Sequence, residues 1–243
     1  LIGGRYVALI IGIDAYAGEW SPLQNAVRDA TALAELLRSD FRFDEILTLY
    51  DGEATRMAII QQLEYLSREV RAEDNLLIYF SGHGEFKRQL NKGFWVPVDA
   101  QTESVSGFIS NSDIRTFLGG IPSKHTLLIA DACWAGEIFR GVPDTVPVDA
   151  GDNYHREVYR RRSRQAMTSG GSEPVTDGGE DGHSVFAYYL LKEMREMEEE
   201  IFDAAALFNN FKIAVANNSE QTPILQPVID TGDEGGQFLF IRR

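Results

Sequence analysis

The chain has 243 residues, 44% of them hydrophobic and 25% charged, which suits one large domain or two small ones. Its 37 acidic residues outnumber 23 lysines and arginines, and the net charge of −14 argues against nucleic acid or an anionic membrane as partner and favours basic substrates. No run of about 18 apolar residues predicts a membrane span, and no signal peptide is visible. The single cysteine, Cys133, excludes an internal disulfide and favours a reducing, cytoplasmic compartment.

The N-terminal half alternates strand-like and helix-like segments. Apolar, β-branched runs predict strands over Arg5–Ile13, Glu45–Tyr50, Asn75–Ser81 and His125–Asp131. Amphipathic patterns predict helices that begin at Ser21-Pro22, at Thr55 and at Asn111. Strands and helices in this order predict an α/β fold, in which a mostly parallel sheet carries helices on both faces.

The composition changes after about Phe139. Residues 140–164 hold Gly, Pro and Asp and then a basic run, and a loop of this length is typical of a functional or disordered segment. Later patterns predict a strand over Gln165–Ser169, helices over Ser184–Met197 and Ala204–Ala216, and a strand over Phe238–Ile241. We interpret residues 1–243 as one domain, with portions 1–139 and 165–243 joined by an exposed linker, 140–164.

Two predicted strands end at reactive side chains: His83 follows one and Cys133 follows another, 50 residues later. Open α/β sheets bind ligands beyond the carboxyl ends of their strands. An imidazole that accepts the proton of a thiol makes that thiol a nucleophile. The N–H groups of Gly84 and Cys133 are candidates to hold the oxyanion of a tetrahedral intermediate. A lone Cys or His is more often structural, but the pair at glycine-flanked strand ends favours catalysis.

The segments Tyr79–Gly84 (YFSGHG) and Asp131–Gly136 (DACWAG) resemble the histidine and cysteine motifs of caspase-like cysteine peptidases, nearest to metacaspases and bacterial caspase-like proteases (orthocaspases). The similarity extends through Val7–Ile13, Asn25–Ala30 and Ala166–Gly170. The resemblance implies a caspase-like three-layer sandwich, with a central, mostly parallel six-stranded sheet flanked by helices. It also implies endopeptidase activity, with Cys133 as nucleophile and His83 as general base and acid.

Similarity to metacaspases implies that Asp29, Ser81 and Asp131 line a pocket for Arg or Lys. Two carboxylates in one cleft repel each other unless a cation enters, and a guanidinium satisfies both through forked hydrogen bonds. We therefore expect cleavage after Arg, with Lys second. The alternative for Asp29 is a solvated acid in the first turn of a helix, favoured by the helix dipole.

The resemblance also implies roles for two further segments. Met167, Thr168 and Ser169 are similar to the edge segment with which the family binds the substrate main chain. The basic run lies near the large–small subunit junction of the family and offers candidate self-cleavage sites at Arg156, Arg160, Arg161, Arg162 and Arg164. The alternative for this run is a plain charged linker.

The chain differs from the metacaspases at the expected calcium site. Many metacaspases bind calcium through an acidic pair in the helix before the cysteine strand. Asn111–Asp113 stand there in this chain, and Arg140 occupies a position where a carboxylate is expected. Because calcium needs six to eight oxygen ligands, we expect neither calcium nor another cofactor to be required.

Three alternative functions remain at this point. A catalytically silent caspase-like scaffold would keep the fold without the chemistry, and an Asp-specific protease is disfavoured by Asp131. A non-proteolytic thiol hydrolase is disfavoured because no GxSxG or phosphate-loop motif occurs. The expected partners are proteins or peptides with basic residues, together with regulatory domains or proteins outside this segment.

Overall fold

The computed structural model describes residues 2–133, 138–139, 154–170 and 180–243. Its strands are β1 (Tyr6–Gly12), β2 (Glu45–Tyr50), β3 (Asn75–Ser81), β4 (Gly84–Lys87), β5 (Lys92–Trp95), β6 (Ile109–Ser110), β7 (His125–Asp131), β8 (Ser163–Thr168), β9 (Ile201–Asp203), β10 (Ile224–Pro227) and β11 (Leu239–Ile241). Its helices are α1 (Ala26–Asp40), α2 (Arg56–Glu69), α3 (Asn111–Gly120), α4 (Tyr154–Arg160), α5 (Val185–Glu196) and α6 (Ala204–Asn218).

A six-stranded sheet in the order β10-β8-β7-β3-β1-β2 forms the centre of the molecule. Every neighbouring pair is parallel except β10 and β8, so the predicted mostly parallel six-stranded sheet is confirmed. Ser81 lies beside Gly12 on one side and beside Asp131 on the other. The carboxyl ends of β1, β3 and β7 therefore meet at one edge of the sheet.

Helices cover both faces of the sheet, because successive residues of a strand point to opposite sides. In β1, Val7, Leu9 and Ile11 face a core shared with α2 and α3, whereas Tyr6, Ala8 and Ile10 face a core shared with α1, α5 and α6. The central strands β1, β3 and β7 are buried throughout. The two cores on either side of the sheet make the three-layer sandwich.

The first helix begins later than its sequence pattern predicts. α1 starts at Ala26 rather than at Ser21-Pro22, and the Asp14 carboxylate caps it by accepting hydrogen bonds from the N–H groups of Ala26 (2.8 Å) and Val27 (3.1 Å). The cap comes from the end of β1, which local sequence does not reveal. The segment around Ser21 is thereby left outside the helix, where its main chain can contact other groups.

The predicted exposed linker, 140–164, needs correction at its C-terminal end. α4 and the first residues of β8 lie within it, while residues 140–153 lie outside the described part of the chain. Arg164 belongs to β8 and is only 2% exposed. Its guanidinium donates hydrogen bonds to the carbonyl oxygens of Leu118, Ile121, Ser123, Lys124 and Ser163. The assignment of Arg164 as an exposed cleavage candidate was therefore wrong.

Candidate active site

A cavity of about 180 Å³ opens at the edge where β1, β3 and β7 end. It is lined by Leu23, Asn25, Ala26, Asp29, Ser81, Gly82, His83, Asp131, Cys133 and Ser184. The structure thus brings the sequence-predicted residues Asp29, Ser81, His83, Asp131 and Cys133 to one place. Such an edge is where parallel sheets bind ligands, because loops and side chains from several strands converge there.

His83 follows β3 by two residues, and its neighbours fix both its backbone and its ring. The Tyr16 hydroxyl accepts a hydrogen bond from the His83 main-chain N–H (2.9 Å) and donates one to the carbonyl oxygen of Val96 (2.9 Å). The Tyr16 and His83 rings meet edge to face, with centroids 4.7 Å apart. The ring Nε2 donates to the carbonyl oxygen of Ser21 at 2.8 Å. Since a carbonyl only accepts, the proton is on Nε2, and Nδ1 is left to accept one.

Cys133 lies two residues beyond the end of β7 and is half-buried at the cavity. Its backbone is packed against that of Gly84, where an added Cβ would lie 2.0 Å from the Cys133 carbonyl oxygen and 3.4 Å from its nitrogen. Only glycine allows two main chains to approach this closely. The contact holds the segments after β3 and β7 together, and with them His83 and Cys133.

Two carboxylates lie in the same cavity. Asp29 comes from α1 and Asp131 from the end of β7, and each side chain is almost fully buried. Ser184 connects the two: its N–H donates to Asp29 Oδ2 (3.1 Å) and its hydroxyl donates to Asp131 Oδ2 (2.5 Å). His183 Nδ1 lies 2.6 Å from Asp29 Oδ1. The alternative interpretation of Asp29, as a solvated acid in the first turn of a helix, is therefore wrong, because its side chain is buried against polar groups.

The paired carboxylates alter the acidity of the cavity. Burial raises the pKa of Asp29 to about 8, the nearby Asp131 adds to the rise, and the Ser184 hydrogen bonds oppose it. Near neutral pH the empty cavity therefore keeps a proton on Asp29. A cation that enters would favour the ionised form and displace that proton.

Met167, Thr168 and Ser169 do not form the strand edge that the sequence comparison implied. β8 lies between β7 and β10, with Met167 opposite Leu225 and Thr168 opposite Ile224 in β10, and all three predicted residues are fully buried. Both sides of β8 are occupied by other strands, and the N–H of Ser169, just beyond β8, donates to the carbonyl oxygen of Ala130 (3.1 Å). The prediction that this segment binds substrate main chain was therefore wrong. β10 forms this edge of the described sheet instead.

The other basic candidates have a different environment from Arg164. Arg156 and Arg160 are exposed on α4, Arg162 is exposed just before β8, and Arg161 is half-buried. Their accessibility is consistent with a segment that a protease can reach, although α4 would have to unwind for cleavage within it.

Sequence reasoning missed four residues that contact the predicted site residues: Tyr16 and Ser21 at His83, and His183 and Ser184 at the carboxylates. Ser184 carried a signal, since it is the first residue of a predicted helix, and its hydroxyl does cap α5 by accepting from the N–H of Ala187 (3.0 Å). That signal indicated a cap and not a contact with Asp131. Tyr16, Ser21 and His183 act through tertiary contacts that no local pattern marks.

The sheet, with a thiol and an imidazole at neighbouring strand ends, defines a caspase-like fold and site. The chain belongs to the caspase domain family (Peptidase_C14), whose model matches residues 5–231. Metacaspase-2 of Arabidopsis thaliana is 27% identical over 83% of this chain and 58% of its own length, and metacaspase-1 of the same plant is 29% identical over 73% and 52%. Metacaspase-1B of Aspergillus oryzae is 29% identical over 55% of this chain and 35% of its own length. The chain thus spans only part of each of these relatives.

Solved structures share the fold at low sequence identity. Caspase-1 from Spodoptera frugiperda superposes with a TM-score of 0.66 at 14% identity, covering 93% of this chain and 87% of that one. A protein from Geobacter sulfurreducens superposes with a TM-score of 0.65 at 17% identity, covering 96% and 99%. These similarities confirm the predicted caspase-like fold.

No helix among the described residues has the length and apolar character needed to cross a membrane. Within the same residues, no group of three or more His, Cys, Asp or Glu side chains is arranged to hold a metal ion.

Proposed function

We propose that this chain is a cysteine endopeptidase that cleaves peptide bonds after Arg, and after Lys second. The observation that supports this most directly is one cavity that holds a thiol, an imidazole and two buried carboxylates: Cys133, His83, Asp29 and Asp131. The thiol and the imidazole can cleave a peptide bond, and the two carboxylates favour a substrate with a cationic side chain.

The proposed reaction uses the groups that line this cavity. His83 Nδ1 accepts the proton of the Cys133 thiol, and the thiolate attacks the scissile carbonyl carbon. The N–H groups of Gly84 and Cys133 would stabilise the oxyanion that forms. His83 then gives its proton to the leaving amine, the C–N bond breaks, and a thioester remains. Water attacks the thioester with His83 again accepting a proton, and the acid product leaves as the thiol is restored.

The preference for Arg over Lys rests on hydrogen-bond geometry. A guanidinium has five N–H donors in a planar fork and can engage Asp29, Asp131 and Ser81 together, whereas an ammonium has three donors at one point. Both cations would relieve the repulsion between the two carboxylates. The net charge of −14 would also attract basic substrates towards the protein.

A panel of fluorogenic peptides that differ only in the residue before the cleaved bond tests the proposal. We expect turnover in the order Arg, Lys, and then Asp or Gln at background. Cys133→Ala and His83→Ala should each lower kcat by at least about 100-fold, because nucleophile and base act in the bond-breaking steps. His155→Ala, a half-buried histidine on α4, is the matched control and should keep wild-type rates. Faster cleavage after Asp than after Arg would contradict the assigned specificity.

The silent-scaffold alternative predicts a different result. An active enzyme should be labelled at Cys133 by an arginine-based covalent inhibitor, and labelling should be lost in His83→Ala. Absence of both labelling and turnover would favour the scaffold.

We further propose self-cleavage at Arg156, Arg160, Arg161 or Arg162. Incubation followed by a denaturing gel should give two fragments from the wild type and one band from Cys133→Ala. Mass spectrometry of the fragments identifies the cleaved bond. One band from both proteins would contradict self-cleavage without affecting the proposed activity on peptides.

A further inference from the structure

The segment Asp181–Ser184 crosses the start of α1 next to the cavity. The Arg28 guanidinium donates to the carbonyl oxygen of Asp181 at 3.1 Å. Asp181 and Gly182 both have positive φ angles, 56° and 76°, and a Cβ on Gly182 would lie 1.9 Å from Arg28 Nη1. Consecutive residues in this region of φ turn the chain sharply. The turn directs the next side chain, His183, onto Asp29.

The imidazole of His183 lies between two cavities. On one side its Nδ1 is 2.6 Å from Asp29 Oδ1, in the cavity that holds Cys133. On the other side it lines a second cavity, of about 280 Å³, together with residues of α5. The His183 side chain is 16% exposed while that of Asp29 is fully buried. His183 therefore connects a buried carboxylate with a solvent-accessible side of the molecule.

The ionised form of Asp29 needs hydrogen-bond donors. Burial and the nearby Asp131 both disfavour a negative charge there, whereas donors to the carboxylate favour it. The Ser184 main-chain N–H serves Oδ2. Once Asp29 is ionised, Oδ1 can only accept, so the imidazole of His183 is its donor in the tautomer that carries the proton on Nδ1. The Ser184 side chain also contacts Asp29, but its hydroxyl serves Asp131 and caps α5 as well. His183 is therefore the side chain whose replacement tests this support without disturbing those contacts.

We propose that His183 is a positioning residue of the basic-side-chain pocket: its Nδ1–H group orients the Asp29 carboxylate towards the guanidinium of a substrate and stabilises the ionised form of Asp29 once that cation has entered the cavity. This inference rests on the proposed preference for Arg. It assigns His183 no contact with the reacting atoms. Its effect on catalysis is exerted through Asp29.

The surroundings of His183 favour a neutral imidazole. The groups that face it are Arg28 and Asp29 on α1, Asp181 on its own segment, and Tyr188, Lys192, Arg195 and Glu196 on α5. Burial lowers the pKa of His183 below its usual 6.5, and the positive charges of Arg28 and Arg195 lower it further. A neutral imidazole donates to Asp29 without adding a positive charge that would repel a substrate cation.

The test measures binding of argininamide by calorimetry between about pH 5.5 and 9, using Cys133→Ala as the parent so that turnover plays no part. His183→Leu removes the donor and should weaken binding about tenfold at pH 7, the loss expected for one hydrogen bond to a charged group. It should also move the midpoint of the pH dependence upwards, because a carboxylate without its donor ionises at higher pH. His183→Asn offers an amide N–H in a similar place and should stay within about threefold of the parent.

His155→Leu is the matched control, since it makes the same change on α4 and should alter neither affinity nor midpoint. In the active enzyme, His183→Leu should raise KM for the Arg peptide and leave kcat nearly unchanged, which a general loss of structure would not do. If His183→Leu binds argininamide with the same affinity and the same pH midpoint as the parent, the role of His183 is overturned, but the proposed pocket for Arg is not. If His183→Asn behaves like His183→Leu, the donor argument is overturned. If argininamide binds none of the proteins even at pH 9, the proposed specificity and this inference both fail.

Discussion

The Nε2 atom of His83 lies 2.8 Å from the main-chain carbonyl oxygen of Ser21, a residue between β1 and α1. This hydrogen bond fixes the tautomer of the imidazole and leaves Nδ1 as the ring atom that can accept a proton, as the proposed reaction requires. Asp14 stabilises the same segment, because it caps α1 and its carbonyl oxygen accepts from the N–H of Leu23 (2.9 Å). The His83 ring is therefore oriented by a main-chain carbonyl group.

Tyr16 is expected to position His83 through its hydroxyl. Tyr16→Phe leaves the His83 N–H and the Val96 carbonyl oxygen without that partner, so we expect a loss of about 1–3 kcal/mol in the free energy of unfolding. Movement of His83 should also lower kcat about tenfold. Denaturant unfolding and peptide turnover measure the two effects. Tyr65→Phe, whose hydroxyl donates to the partly exposed Glu45 at 3.2 Å, is the control and should change stability by no more than about 0.5 kcal/mol.

Gly84 should tolerate no side chain. In Gly84→Ala the Cβ would lie 2.0 Å from the Cys133 carbonyl oxygen, so the backbone that carries the nucleophile must move. A shift of about 1 Å in a reacting group costs about 100-fold in rate, and we expect kcat to fall by that order. Gly120→Ala, where no atom lies within 4 Å of the added Cβ, should retain activity. Equal rates for both variants would show that the contact with Cys133 is unimportant.

Arg164 is expected to stabilise the fold and not to be a cleavage site. Arg164→Ala removes a buried guanidinium that serves five carbonyl oxygens, and we expect a loss of about 3 kcal/mol or more in the free energy of unfolding. The exposed Arg162→Ala should change it by no more than about 0.5 kcal/mol. Urea unfolding compares the two. Similar midpoints for both variants would contradict the structural role.

The outline of the fold could be predicted because buried parallel strands leave a direct record in sequence. β2, β3 and β7 have the bounds that their apolar runs predict, and Thr55 caps α2 as expected. β11 lies within the strand predicted over Phe238–Ile241. The other short strands, β4, β5, β6 and β9, were not predicted, since runs of two to four residues carry too little periodicity. Their pairing depends on tertiary contacts.

The candidate site was predictable only where a motif marks it. His83, Cys133 and Asp131 stand at the ends of recognisable strands, so the topology of a parallel sheet brings them together. Ser21 contributes a main-chain carbonyl, and His183 reaches Asp29 across 154 positions of sequence. The prediction that Met167–Ser169 binds substrate main chain was wrong, because the sequence of a strand does not reveal whether another strand pairs with its edge. Here β10 does so.

Activity is expected to be independent of calcium. The Asp113 carboxylate accepts from the Ser110 hydroxyl (2.7 Å) and main-chain N–H (3.3 Å), so it is committed to the start of α3. Arg140, the other position considered, lies outside the described residues. Turnover of the Arg peptide should be the same in excess chelator and in millimolar calcium. Loss of turnover in chelator, restored by calcium, would contradict this expectation.

Asp29 should make the stability of the unliganded protein fall as pH rises. Its pKa is raised from 3.8 to about 8 in the fold, so between these values the native state holds a proton that the unfolded chain has released. The free energy of unfolding therefore decreases across this interval and levels off above it. In Asp29→Asn this contribution disappears, and the variant should become more stable relative to wild type as pH increases towards 8.

Thermal unfolding of wild type and Asp29→Asn at pH 5, 7 and 8.5 measures this difference in stability. His125 also makes the stability depend on pH, but at lower pH and equally in both proteins. The pKa of His125 is lowered to about 3 by burial, so its effect falls between that value and 6.5, where stability rises with pH. Argininamide should stabilise the wild type most at pH 8.5, because binding then needs no proton to be released from Asp29. Parallel stability curves for wild type and Asp29→Asn would show that Asp29 ionises normally, and the explanation of the pocket through paired, buried carboxylates would then be wrong.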